Sequence, residues 1–131
     1  MSDLQFYCDL LVEREKVFHS WTDSWIQGEI TKALAKLNAV PEGRFELWNG
    51  AVYGHFKQVQ SPSLIKLSWK TIEFQDWMPA TEVTLEFQTR PNGSRLVVTH
   101  DNIPEPMVEQ FRFAWQDIYL PQLQLYFVQN P

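Results

Sequence analysis

The stretch PEPMVEQFRFAWQDIYLPQLQLYF, residues 104–127, decides the fold. Val108, Phe111, Trp115, Ile118 and Leu125 recur at steps of three, four or seven. That spacing sets apolar side chains on one face of a helix. Tyr119, Leu123 and Phe127 widen the stripe. Pro104 and Pro106 stand where the first turn of a helix tolerates proline, and Glu105 and Glu109 place negative charge near its N-terminal dipole. Twenty-odd residues at ~1.5 Å each span roughly 30 Å, the width of a small domain. A stripe this broad and aromatic needs a large apolar floor. Pro121 lies inside the pattern and has no N–H, so the helix is expected to kink or end near Leu120.

The floor is read upstream. From Arg44 the period becomes two, with Phe45 and Leu47 alternating with Glu46. Asn49-Gly50 follows, the strongest short hairpin signal, because both turn positions need positive φ. Val52, Gly54 and Phe56 form the return strand, and Ser61-Pro62-Ser63 turns it. Ile65, Leu67 and Trp69 alternate with Lys66, Ser68 and Lys70, as in a half-buried antiparallel strand. Residues 75–80 are irregular. Val83, Leu85 and Phe87, then Pro91-Asn92-Gly93, then Leu96, Val98 and His100 repeat the strand–turn–strand pattern. Nearer the N-terminus, Leu4 to Val12 is a first strand and Glu13 to Trp21 a first helix. Thr22-Asp23-Ser24 is a cap cluster, and a second helix is expected from Trp25 to Leu37. Strands joined by short turns pair antiparallel. The expected fold is α+β: a single domain over 1–131, with a curved antiparallel sheet of about six strands. Two short helices close one end, and the long C-terminal helix lies across the sheet.

Composition narrows the function. The chain has 131 residues and a net charge of −5, with no basic patch, which argues against nonspecific nucleic-acid binding. One cysteine, Cys8, excludes an internal disulfide and fits a reducing, cytoplasmic setting. Met1 to Leu10 carries Asp3 and Asp9 and no basic residue before an apolar run, unlike a secretory signal. No apolar run approaches the ~20 residues that cross a bilayer. The aromatic content is high, with six Trp, nine Phe and four Tyr. Either the core is thick or rings line a cavity.

The order of elements resembles the helix-grip fold of START-like and birch-pollen-allergen-like domains. Several local motifs are narrower still. Gly43-Arg44-Phe45, then Asn49-Gly50 with Val52, Gly54 and Phe56, is one of them. Others are Ile65…Ser68-Trp69-Lys70, Thr84-Leu85-Glu86-Phe87, Leu96…His100, and Ile103-Pro104 followed by Trp115-Gln116. Together they are similar to the activator of heat-shock protein 90 ATPase homologues, in the C-terminal domain of the co-chaperone and its single-domain relatives. Val17-Phe18 and Thr22 carry the likeness before Gly43. The resemblance implies a non-enzymatic protein that binds heat-shock protein 90 and stimulates its ATPase, with no cofactor. Two-domain members carry a separate N-terminal domain, whereas this chain starts at the first strand. The wider superfamily implies an alternative: a module holding a small hydrophobic ligand between sheet and C-terminal helix.

No catalytic constellation is visible. His19, His55 and His100 are scattered and, with Cys8, give no metal-ligand spacing. Glu13, Glu15 and Asp23 sit at helix starts, where the dipole explains them. No phosphate loop or nucleophile elbow occurs. His100 shares the parity of Leu96 and Val98, so it points inward and needs a partner, either a core group or a ligand. Trp48, Tyr53, Trp69, Phe87, Phe111 and Trp115 are the rings expected between sheet and helix. Trp48 and Tyr53 have the outward parity of their strands. The candidate ligand set is Trp69, Phe87, His100, Phe111 and Trp115, with a filled core as the rival reading. For a protein partner the candidates are Trp25, Trp77 and the outward lysines Lys66 and Lys70, with Trp21 beside them near a loop.

Overall fold

The computed structural model describes residues 1–131. Seven strands form one antiparallel sheet in the order β1-β7-β6-β5-β4-β3-β2. They are β1 (Ser2–Leu10), β2 (Lys36–Leu37), β3 (Arg44–Leu47), β4 (Val52–Gln60), β5 (Leu64–Thr71), β6 (Thr81–Arg90) and β7 (Gly93–Ile103). The run from β2 to β7 is a meander, as short polar turns dictate. β1 joins its far side through β7, with Leu4 opposite His100, Phe6 opposite Val98 and Cys8 opposite Leu96. Alternation then sends Ile65, Leu67, Trp69, Val83, Leu85, Phe87, Leu96, Val98 and His100 to one face, all buried. Helices α1 (Arg14–Ser20) and α2 (Ser24–Thr31) cover one end of that face. The C-terminal helix, 105–129, lies along it. Twenty-eight buried hydrophobic residues form a single cluster, so one core serves the whole chain.

Two glycines of the quoted motifs are explained by close approach. A Cβ on Gly54 would stand 2.0 Å from the Ser68 carbonyl oxygen, and one on Gly43 1.9 Å from that of Asn38. Both obstacles are backbone, so no side chain fits.

Several expectations are corrected. The sheet has seven strands, because residues expected at the end of α2 form β2 against Phe45 and Glu46. Helix α2 stops at Thr31, where Lys32 turns left-handed at φ 60°. The chain beyond is captured by the β3–β4 loop. Asn49 Oδ1 accepts from the Leu34 N–H, and the Asn49 N–H donates to the Leu34 carbonyl. Leu34 is therefore exposed. The Asn49-Gly50 turn is a four-residue loop, 48–51, in which Trp48 also has positive φ. Trp21 is wholly buried against Tyr119 rather than near the surface.

Pro121 neither ends nor interrupts the last helix. That element runs as a 3-10 turn (Glu105–Met107), α3 (Val108–Phe113), a π segment (Ala114–Tyr119) and α4 (Leu120–Gln129). In the π segment the Leu120 N–H reaches back to the Trp115 carbonyl, five residues away. The wider turn ends just before the proline, which thus falls in the first turn of α4, where its missing N–H costs little. The extra residue also rotates the stripe. Phe111, Trp115, Tyr119, Leu123 and Phe127 are buried at steps of four, and Leu125, expected on the stripe, is exposed.

Candidate functional site

Beneath Trp115 of the C-terminal helix the side chains are buried, and their polar groups are paired in a chain. The Trp115 indole N–H donates to His100 Nδ1 at 3.0 Å. Since Trp Nε1 only donates, Nδ1 must be unprotonated. The neutral ring then carries its proton on Nε2, which donates to Thr81 Oγ1 at 2.7 Å, and that hydroxyl donates to the Trp69 carbonyl at 2.8 Å. Every donor has one acceptor, and the tautomer is set by the network. The chain ties the helix to β7, β6 and β5. The rings of Phe111 and Trp69 also flank the imidazole, centroids 4.6 and 5.9 Å away. Burial in these surroundings pushes the His100 pKa down to about 3.

At one end the space opens. Between the 48–51 loop, the end of β5 with the residues just after it, and the helix from Gln110 to Tyr119 lies a cleft of about 270 Å³. Trp48, Trp69, Phe111, Trp115, Ile118 and Tyr119 supply most of its wall, with Ala51 and Ala114 the small residues that leave it empty. Thr71, Glu73 and Gln110 are its polar members. The Thr71 hydroxyl donates to Glu73 Oε2. Trp48 reaches the cleft because its positive φ turns its side chain out of strand parity, and its ring meets Tyr119 edge-on. Tyr53 keeps its outward parity and is half-buried.

The structure brings three of the five candidate ligand residues to this cleft: Trp69, Phe111 and Trp115. Phe87 is packed edge-on against Phe18 of α1, at 5.1 Å, away from it. His100 lies behind Trp115, bonded rather than open. Thr81 and Glu73 escaped the sequence reading. Thr81 shares the inward parity of Val83, a signal that could have exposed it; Glu73 sits in an irregular stretch with no such signal.

The partner candidates lie on three separate surfaces. Lys66 is on the outer sheet face, where it shares Glu82 with Lys57 at 3.9 and 3.0 Å. Lys70, four residues along the same strand and on the same face, makes no ion pair within 4 Å. Trp77 is 75% exposed on the β5–β6 loop. Trp25, 76% exposed on α2, borders a groove with Gln122, Leu125 and Tyr126 of α4. Cys8 is buried, its thiol pushed up to about 12 by desolvation and by neighbouring Asp9, and so is poorly nucleophilic. No three His, Cys, Asp or Glu side chains converge as a metal would require. No helix is long and apolar enough to cross a membrane.

Known proteins share this architecture. An HSP90 activator from Plasmodium falciparum superposes with a TM-score of 0.89 at 23% identity, over 95% of both chains. The Aha1 dimer of Colwellia psychrerythraea gives 0.83 at 15% identity, over 97% of this chain and 96% of that one. Protein MLL2253 of Mesorhizobium loti gives 0.84 at 12%, over 99% of each. At such identities these likenesses establish the fold. In sequence, the Activator of 90 kDa heat shock protein ATPase homolog 1 of Mus musculus is 27% identical over 111 residues, 83% of this chain and 32% of the relative. The human protein of the same name matches over the same shares. The chain thus spans about a third of the length of these relatives. A family profile described as Activator of Hsp90 ATPase homolog 1-like protein matches residues 11–127, nearly the whole chain, and it is to this family that the chain belongs.

Proposed function

We propose that this protein is a non-enzymatic regulator that binds heat-shock protein 90 and stimulates its ATPase. The observation that carries the reading is family membership across residues 11–127. The bonding around His100 supports the non-enzymatic half, since both nitrogens of this buried imidazole are occupied. Docking is assigned to the outer sheet face around Lys66 and Lys70, with the exposed indole of Trp77 on the β5–β6 loop as its apolar anchor; Trp25, on α2, marks a separate candidate surface. Of these two, Lys70, without an ion pair, has the charge more available to an acidic partner.

The test is association and turnover with purified heat-shock protein 90. Binding at tens of micromolar, with a rise in ATP hydrolysis, is the expected result; a chaperone that neither binds nor speeds up ends the reading. The double variant Lys66→Glu with Lys70→Glu should weaken association and flatten its salt dependence, because surface charge acts mainly on encounter rate and specificity. Trp77→Ala and Trp25→Ala then tell which indole is buried by the partner.

A further inference from the structure

We propose that the cleft beside residues 110–119 of the C-terminal helix binds a small organic ammonium ion, of the quaternary or methylated kind. The inference stands apart from chaperone binding and rests on three features of the cleft.

The first is its rings. Trp48 and Trp115 both stand nearly perpendicular to Tyr119, at 81° and 82°, with centroids 6.2 and 5.5 Å from it. Trp69 flanks Trp115 at 5.2 Å. Three indoles and a phenol ring, set at differing angles, thus line one small volume. Trp is the strongest partner for a cation within about 6 Å of its centroid. The second feature is charge. Glu73 is the one charged residue lining the cleft, and no Lys, Arg or His lines it. The Thr71 hydroxyl donates to Glu73 Oε2, which steadies the carboxylate beside the cleft. An anion would be repelled there, and a purely apolar guest would gain nothing from it. The third is size and dryness. A space of about 270 Å³ walled by apolar groups suits a weakly hydrated alkylammonium head. A strongly hydrated metal ion would lose its water shell to a wall that offers almost no oxygen. Ala51 and Ala114 keep this volume open where larger side chains would close it.

Choline and 3,3-dimethylbutan-1-ol, its neutral analogue of nearly the same shape, separate cation recognition from plain apolar fit. The full chain, labelled with nitrogen-15, is titrated with each while the indole N–H signals are followed. Choline should shift Trp48, Trp69 and Trp115, leave Trp25 and Trp77 unmoved, and bind about five- to tenfold more tightly than the alcohol. Glu73→Gln, at an exposed position that does not threaten folding, should remove most of that preference while leaving the alcohol unaffected. Ala114→Trp should fill the cleft and abolish both titrations. Equal affinity for the two compounds overturns the proposal, as does the absence of saturable shifts in the cleft indoles at tens of millimolar choline. None of these signals involves the chaperone, so either proposal can fail while the other stands.

Discussion

Around His100, beneath the C-terminal helix, and in the cleft beside the same helix, the same two surfaces meet with opposite results. Around the imidazole, Trp115, His100 and Thr81 close every gap and pair every polar atom they bring. A few ångströms away Trp115, Trp69 and Tyr119 line an open cleft. The residue types do not differ in kind, since both places are rich in Trp and Phe. The difference lies in the small residues Ala51 and Ala114, in the left-handed turn at Trp48, and in the π segment that widens the helix where it passes the cleft. One packing problem is solved to completion and the other is left unfinished, which is the usual mark of a site rather than of a core.

Truncation measures that contrast most strongly. Trp115→Ala removes a ring that touches Trp69, His100 and Tyr119 and orphans His100 Nδ1. A loss of about 3–5 kcal/mol in urea unfolding is expected. Ile72→Ala, at the cleft rim and 70% exposed, should stay within about 0.5 kcal/mol. Similar costs at the two sites would erase the distinction between centre and cleft.

Acid should act on the centre first. In the folded protein His100 takes up a proton only near pH 3, and in the unfolded chain near its ordinary value of about 6.5. Above 6.5 neither state is protonated at this ring and its contribution is intact. As pH falls from 6.5 toward 3 the unfolded chain binds a proton the folded one refuses. Stability is therefore lost at about 1.4 kcal/mol per pH unit, or ~2 kcal/mol by pH 5. His100→Gln, whose amide can still accept from Trp115 and donate to Thr81 but cannot titrate, should lose this component of the slope. Parallel pH profiles for wild type and variant between 7 and 5 would show that the imidazole is not the group responsible.

What the sequence disclosed follows from the range of the interactions involved. The meander was legible because period-two alternation and turns such as Pro91-Asn92-Gly93 are local, and so was the inward aim of His100, by parity. The long helix was legible as a stripe, but its π segment was not. That segment has no local signal beyond Pro121, whose effect is the reverse of the kink or end expected. The false end of α2 has a similar origin: Leu34 and Leu37 fit a helical stripe, yet a clasp from Asn49, fifteen residues on, overrides it. Phe87 was placed with the ligand rings because strand parity gives the face of a sheet but not the position along it; α1 had already claimed that end. The cleft itself depends on Trp48 leaving strand parity, and nothing short of the loop's full conformation reveals that.

The smallest effect offers the sharpest discrimination. Lengthening Val98, wholly buried in the finished centre, to leucine adds one carbon where no space exists, and should cost about 1–3 kcal/mol through strain. Lengthening Ala114 to leucine adds three carbons, but at a half-buried position facing the cleft. Burial of those carbons at up to ~0.8 kcal/mol each is offset by lost rotamer freedom and incomplete contact. The net change should lie between zero and about 1 kcal/mol of stabilisation, with an unchanged urea m-value. A gain there, beside a loss at Val98, means the chain tolerates an open cleft that it could have filled at no cost in stability. If Ala114→Leu is instead as damaging as Val98→Leu, the cleft is already as tightly packed as the centre, and no ligand of any charge has room in it.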